Sequence, residues 1–491
     1  MRTLAALLVP LLCIAAGAPD EIAALIDRAR GAPGEFAADV MIRIAGLDRV
    51  DKARKMQLLE EAFLRASEAQ QPYKRHPAIS RLDAPAGFQN RAFNQDLDGL
   101  SLRLRAVERM LPLDSRKARE LFEQIPPPRL PQLACQDFLV YDVSRFFAVA
   151  GRVASQSFTA REIERGEPFQ FLARYAGAIA SPVEVAPAAA MIAAAGLKDD
   201  DFQLLVATFA HALGRIEGDD RSFTFSLPAA GSLILELVEE GRRRQAPPLA
   251  LIERYRLYLV NHLSAARCAD DNDMQPSGIS AFSLGSSQLA ELAGSDGVAF
   301  FNEKIRAAPL APIEAPEAAP AKVEGTVADL EACKDPECQE IQKQYRELGA
   351  GPDRAYAQSA NRATDEWQEK LRQFLVAMAG WKESTGATPA QHFRDKAGIL
   401  NMVCNLAPPG RGRDMVVEAI LDYLRQSRLA VENREEWFLP AHVLIAFTGI
   451  DPQGSRSLAD KLRAAADPVI ALYASLEALA PHTMESVAPI L

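Results

Sequence analysis

Histidine and cysteine are scarce in this chain, six of each in 491 residues, and neither is spaced to hold a metal. No Cys-x-x-Cys pair and no paired histidines occur, although zinc sites depend on such spacings. Also missing are Gly-x-Ser-x-Gly, His-Glu-x-x-His, a phosphate-binding glycine loop and a dinucleotide fingerprint. No metal and no cofactor is therefore expected. Basic clusters are almost absent too. The run Arg242-Arg243-Arg244 sits beside Glu239 and Glu240 and reads as a solvated helix end. With 55 basic against 65 acidic residues the chain offers no surface for nucleic acid, which needs clustered Lys and Arg. Long apolar runs are lacking beyond the first eighteen residues. Val185 to Leu197 and Trp437 to Ile450 are shorter than the roughly 20 residues of a spanning helix, and each contains a proline.

The first eighteen residues have the order of a signal peptide: Arg2, an apolar stretch from Leu4 to Ala16, then Ala15, Ala16, Gly17 and Ala18. The expectation is cleavage near residues 17–18 and a secreted or periplasmic protein. Its removal takes Arg2 and Cys13, leaving 54 basic and 65 acidic residues, a net charge of −11, and five cysteines.

Apolar side chains recur at spacings of three and four, the period of a helix with one buried stripe. Met56, Leu59, Phe63 and Ala66 form one such stripe, and Ala118, Leu121, Phe122 and Ile125 another, stopped by Pro126-Pro127-Pro128. Further sets are Ile252, Tyr255, Leu259, Leu263 and Ala266; Trp367, Leu371, Phe374, Leu375 and Met378; and Val416, Ala419, Ile420, Tyr423 and Leu424. Only Phe223 to Ser226 alternates like a strand. The fold class is all-α.

A segment recurs without gaps: Val40 to Asp48 aligns on Val443 to Asp451, each a helix closed by Gly, an apolar residue and an Asp suited to cap the next helix. Leu111-Pro112-Leu113-Asp114, before the helix holding Lys117 to Phe122, is a looser third copy. One helix pair cannot bury its own apolar face and must stack on neighbours. In this unit, and in the small, large and proline positions held by Ala118, Phe122 and the prolines after it, the chain resembles TPR-like helical-repeat proteins. The likeness covers about a quarter of the chain and implies an irregular, α-solenoid-like array.

Eleven of the sixteen residues from Ala307 to Lys322 are Ala or Pro, a linker composition. The organisation expected is a signal peptide over 1–18, an N-terminal helical region over 19–306, a linker over 307–327 and a C-terminal helical region over 328–491.

Asp335-Pro336-Glu337 is a helix start, which puts Cys338 in the first turn and Cys333 just outside it, while Cys268 ends the preceding helical region. In an oxidising compartment one disulfide between two of Cys268, Cys333 and Cys338 is expected. Cys135 and Cys404, in apolar surroundings, read as buried thiols. His211, His262 and His442 read as core or groove histidines, and Asp270 to Asp273 lacks the Gly and Glu of a calcium loop.

Glu383-Ser384, followed by Ala397-Gly398-Ile399-Leu400-Asn401-Met402, resembles the Glu-Ser and Gly-Leu-Met-Gln motifs of lytic transglycosylases. The resemblance implies Glu383 as a general acid on a glycosidic oxygen. The second motif is degraded, however, and Ala355-Tyr356-Ala357 precedes the Glu where a third motif should follow. Gly380, Gly386 and Pro389 around Glu383 describe an exposed helix end, where a carboxyl stays ionised. No catalytic role is expected for it. The reading is an exported helical-repeat protein that binds an unknown protein partner or serves as a scaffold. The alternatives are a glycan-cleaving enzyme and a purely structural envelope protein.

Overall fold

A computed structural model describes residues 21–77, 96–133, 139–216, 220–246, 249–263, 267–268, 313–314, 336–349, 365–382, 411–430 and 468–479, with single positions between 392 and 407. Of these, 76% are helical, which leaves no sheet large enough to form a layer. The helices are α1 (Glu21–Arg30), α2 (Gly34–Ala45), α3 (Lys52–Arg65), α4 (Gly99–Met110), α5 (Ser115–Glu123) and α6 (Ser144–Gln156). There follow α7 (Ala160–Glu164), α8 (Glu167–Ala176), α9 (Val185–Ala193), α10 (Asp199–Leu213), α11 (Asp220–Arg243) and α12 (Leu249–Leu263). Further along come α13 (Pro336–Gly349), α14 (Asp365–Gly380), α15 (Arg411–Ala430) and α16 (Pro468–Leu479). Short 3-10 turns cover Ala66–Glu68 and Pro182–Glu184.

Local chemistry sets the starts. Asp51, Asp98 and Asp114 each accept a hydrogen bond from the backbone three residues on, at Arg54, Ser101 and Lys117. The expected cap Asp48 is not the one used: α3 begins after Asp51, three residues later. Asp114 caps as expected. Gly46 closes α2, but in the right-handed helical region, with φ −75°. The stretch Val443 to Asp451, its sequence counterpart, lies outside the described residues.

From α1 to α12 each helix packs mainly on those one to three places further along the chain: α1 on α2, α2 on α3, α3 on α4, α4 on α5 and α6, α6 on α8 and most extensively on α9, α8 on α10, α9 on α10 and α11, and α10 and α11 on α12. Backbone contact makes two of these junctions tight. A β-carbon on Gly34 would stand 2.6 Å from the Arg65 carbonyl oxygen, and one on Gly99 2.9 Å from that of Ala66. Glycine at both places lets α2 and α4 start against the end of α3.

The stripes expected from spacing are the buried faces. Leu59, Phe63 and Ala66, then Ala118, Leu121, Phe122 and Ile125, then Ile252, Tyr255 and Leu259, and Trp367, Leu371, Phe374 and Met378 are all buried. Phe122 stacks on Phe146 with ring centroids 5.3 Å apart, and Phe171 and Tyr175 close the same cluster. Aromatic contacts at this spacing add to what burial alone contributes.

Three readings are corrected. Phe223 to Ser226 is helical, inside α11, with Phe223 buried and Phe225 exposed. His211 is exposed on α10, while His262 is buried between Phe223 and Tyr258 as expected. Arg244 is not a solvated end: its guanidinium lies 4.5 Å over Phe202 and bonds Glu240 and the Leu197 carbonyl. Its stem and planar head cover apolar surface that a lysine would leave open.

Two short ladders are also present. β1 (Lys74–Pro77) pairs antiparallel with β2 (Leu139–Asp142), and β3 (Arg267–Cys268) pairs in parallel with β4 (Ile313–Glu314), a part of the Ala/Pro-rich segment. In the C-terminal region α13 packs on α14 and α14 on α15, whereas α16 rests mainly on α1 and α2.

Candidate functional site

Two groups of ionisable side chains stand out, both around α4. One is a charged cluster where β1, β2, α4 and α6 meet. Lys74 reaches Asp96 at 2.7 Å and Asp142 at 3.9 Å. Arg145 bonds Asp96 at 2.9 Å and Glu108 at 2.6 Å, and Arg152 bonds the other oxygen of Glu108. Ser144 donates its hydroxyl and its backbone N–H to Asp142. Asp96 holds φ +52°, a left-handed backbone that non-glycine residues adopt at a cost of about 1 kcal/mol or more. Its two ion pairs hold it there.

Asp98, the cap of α4, lies beneath this cluster and is buried. Burial pushes its carboxyl up to about 6, with Asp96 adding to the shift, against hydrogen bonds from Ser101 and the charge of Lys74. Burial also works against the charge on Lys74, but Asp96, Asp142 and Asp98 outweigh it and the amine is shifted up. Three cations, Lys74, Arg145 and Arg152, thus face the three carboxyl groups of Asp96, Asp142 and Glu108, with Asp98 buried beneath them. The cluster satisfies itself and ties the β1–β2 ladder to α4 and α6.

The second group is more deeply covered. Asp39, on α2, is 5% exposed. Arg105 on α4 donates to its Oδ1 at 2.6 Å, and Tyr473 on α16 donates its hydroxyl to its Oδ2 at 2.8 Å. Burial pushes the Asp39 carboxyl up, but Arg105, Arg43 and the Tyr473 hydroxyl together hold it below its ordinary value. Burial and the Asp39 charge push the Tyr473 hydroxyl well above its own.

Among the residues singled out from sequence, Cys338 is buried in the first turn of α13, on the stripe with Ile341 and Leu348. Cys268 lies in β3, paired with Glu314. Cys333, Cys135, Cys404, Glu383 and residues 1–18 lie outside the described residues, as does the stretch Asp270 to Asp273. Among the described residues no group of three or more His, Cys, Asp or Glu is arranged to hold a metal ion. No helix among them is long and apolar enough to cross a membrane.

The two polar groups were not found from sequence, because their members lie far apart in the chain. One signal was present: Asp39 interrupts the apolar run from Phe36 to Ile42, and a lone charge there must find a partner or stay uncharged. Comparison with family models, with curated proteins and with solved structures finds no match.

Proposed function

We propose that the chain is an exported helical array that acts as a protein-binding or scaffold module. The observation that supports this most is the local packing of α1 to α12, in which each helix leans on those one to three places further along the chain. Arrays built this way present long faces made of many helices, and such faces serve binding rather than chemistry. The polar groups at α4 fit the same reading. Their charges are spent on each other, as in a tie between elements, and are not held apart as acid and base.

Export rests on the order of charge, apolar run and small residues at the start of the sequence. The disulfide belongs with it. Cys338, buried in the first turn of α13, would be one member of the bridge, or Cys268 and Cys333 would pair with each other. The partner is a protein, since a net charge of −10 and the lack of basic clusters disfavour nucleic acid.

The rival to exclude is glycan cleavage. Purified full chain and its Glu383→Gln variant are assayed together on cell-wall glycan. Neither is expected to cleave it. Cleavage by the parent with a loss of about 100-fold or more in the variant, the range for a general acid, would overturn the scaffold reading.

A further inference from the structure

The last described helix packs away from its sequence neighbours, and beneath its apolar face lies a buried carboxylate. α16 leaves α13, α14 and α15 to stack on one another and rests mainly on α1 and α2. Its buried face is Val469, Leu472, Tyr473, Ala474 and Leu476. At the centre the Tyr473 ring meets Phe36 edge-on at 6.1 Å, and its hydroxyl takes Oδ2 of Asp39 while Arg105 takes Oδ1. At the margins Arg28 donates to the Ser475 hydroxyl and Arg49 to the Leu479 carbonyl, each at 3.3 Å.

We propose that the α1–α2 face is a receptor surface for a helix and that α16 is its tethered ligand, a releasable latch keyed by Tyr473. The inference stands apart from the scaffold reading, because it concerns only what this face holds.

Two opposing effects make the contact releasable. Apolar burial along a short helix favours closure. Covering an ionised carboxylate and its arginine opposes it, because both lose water. One hydroxyl aimed at the open carboxylate oxygen offsets that loss, and a hydrogen bond to a charged group is among the stronger kinds. A helix that only completed a core would set apolar atoms over Asp39. Here the register of α16 is fixed by a polar group that a helix without the tyrosine could not supply. The same arrangement selects the ligand: an apolar helix with one tyrosine at its centre. With α16 away, the first helix pair of the array would present that face to solvent.

Hydrogen exchange on the intact chain tests this. In Tyr473→Phe, which keeps the ring and removes the hydroxyl, α16 amides should exchange at least about ten-fold faster, the loss expected for a charge-assisted bond. Amides of α1 should follow, while those of α9 and α10 should not change. Unchanged exchange in α16 overturns the proposal. Equal acceleration in α16 and α10 also overturns it, by making α16 part of one cooperative core. If that variant does not fold, the parent decides the question in sub-denaturing urea. α16 must then open through a state at least about ten-fold more populated than the one that opens α10, and a single shared opening refutes the latch. A dimer that grows with concentration while α16 stays protected would assign the face to a second copy and overturn the assignment to the chain's own helix.

Discussion

Tyr473 donates its hydroxyl to Asp39 at 2.8 Å, across 434 positions of sequence. The bond joins the last described helix to the second and completes the shell of a buried carboxylate whose other oxygen belongs to Arg105.

Removing the acid should therefore cost more than removing the hydroxyl. Asp39→Ala strands Arg105 in a largely buried site and should destabilise the chain by about 3–5 kcal/mol, the range for breaking a buried ion pair. Tyr473→Phe should cost about 1.5–3 kcal/mol, since Asp39 keeps Arg105. Replacing both Asp39 and Arg105 by apolar residues of similar volume should recover part of the larger loss. Denaturant midpoints followed by circular dichroism give all three. A larger effect for Tyr473→Phe than for Asp39→Ala would contradict the assignment.

Stability should rise as the solution is acidified from pH 7.5 towards 5, against the usual trend. Two buried carboxyls drive this. Asp98 is pushed up to about 6, and Glu184 to about 7 by burial, against hydrogen bonds from the Ala180 and Ser181 backbone. A carboxyl whose folded value exceeds its unfolded one stabilises fully below the unfolded value, and that gain disappears as pH rises through the folded value. Each group contributes on the order of 3 kcal/mol, at 1.36 kcal/mol per unit. Asp39 acts in the opposite sense: its contribution is present above its unfolded value, about 4, and is lost below. The optimum should then lie near pH 4–5, by the same linkage. Urea midpoints across pH check it, and Glu184→Gln should flatten the arm near 7. A midpoint that climbs steadily from pH 5 to 8 would contradict both assignments.

The proposed export and bridge predict three free cysteines on thiol titration of the unfolded, non-reduced mature chain, because a bridge between two of Cys268, Cys333 and Cys338 removes two of the five cysteines beyond residue 18. Five free thiols would mean no bridge. The stabilisation it provides should be on the order of 2–4 kcal/mol if the loop runs to Cys268, and less for the short ring to Cys333.

Much of the fold was legible because the apolar stripes obey one period. Phe122, Tyr255, Leu371 and their neighbours could be placed on buried faces from spacing alone. Cap choice was less legible. Asp48 and Asp51 both suit the start of α3, and only the geometry of the turn after Gly46 selects Asp51. Strand alternation over four residues misled at Phe223 to Ser226, where propagation of the long helix α11 overrides it. The polar groups were the least legible part. Lys74, Asp96, Glu108 and Arg145 are ordinary surface residues in sequence, and only β1 pairing with β2 brings them together. Tyr473 sits in an apolar run that gives no sign of its partner near the other end of the chain.

The proposed binding role is tested most directly by cross-linking in whole cells. Leu204 on α10 and Leu249 on α12 are 55% and 58% exposed, and their helices pack together. A photoreactive residue at each position, in otherwise intact chain, should give the same protein adduct from both sites. Leu249→Asp should weaken the adduct formed at 204. Absence of an adduct at either site, or a scatter of unrelated products unchanged by Leu249→Asp, would contradict the account.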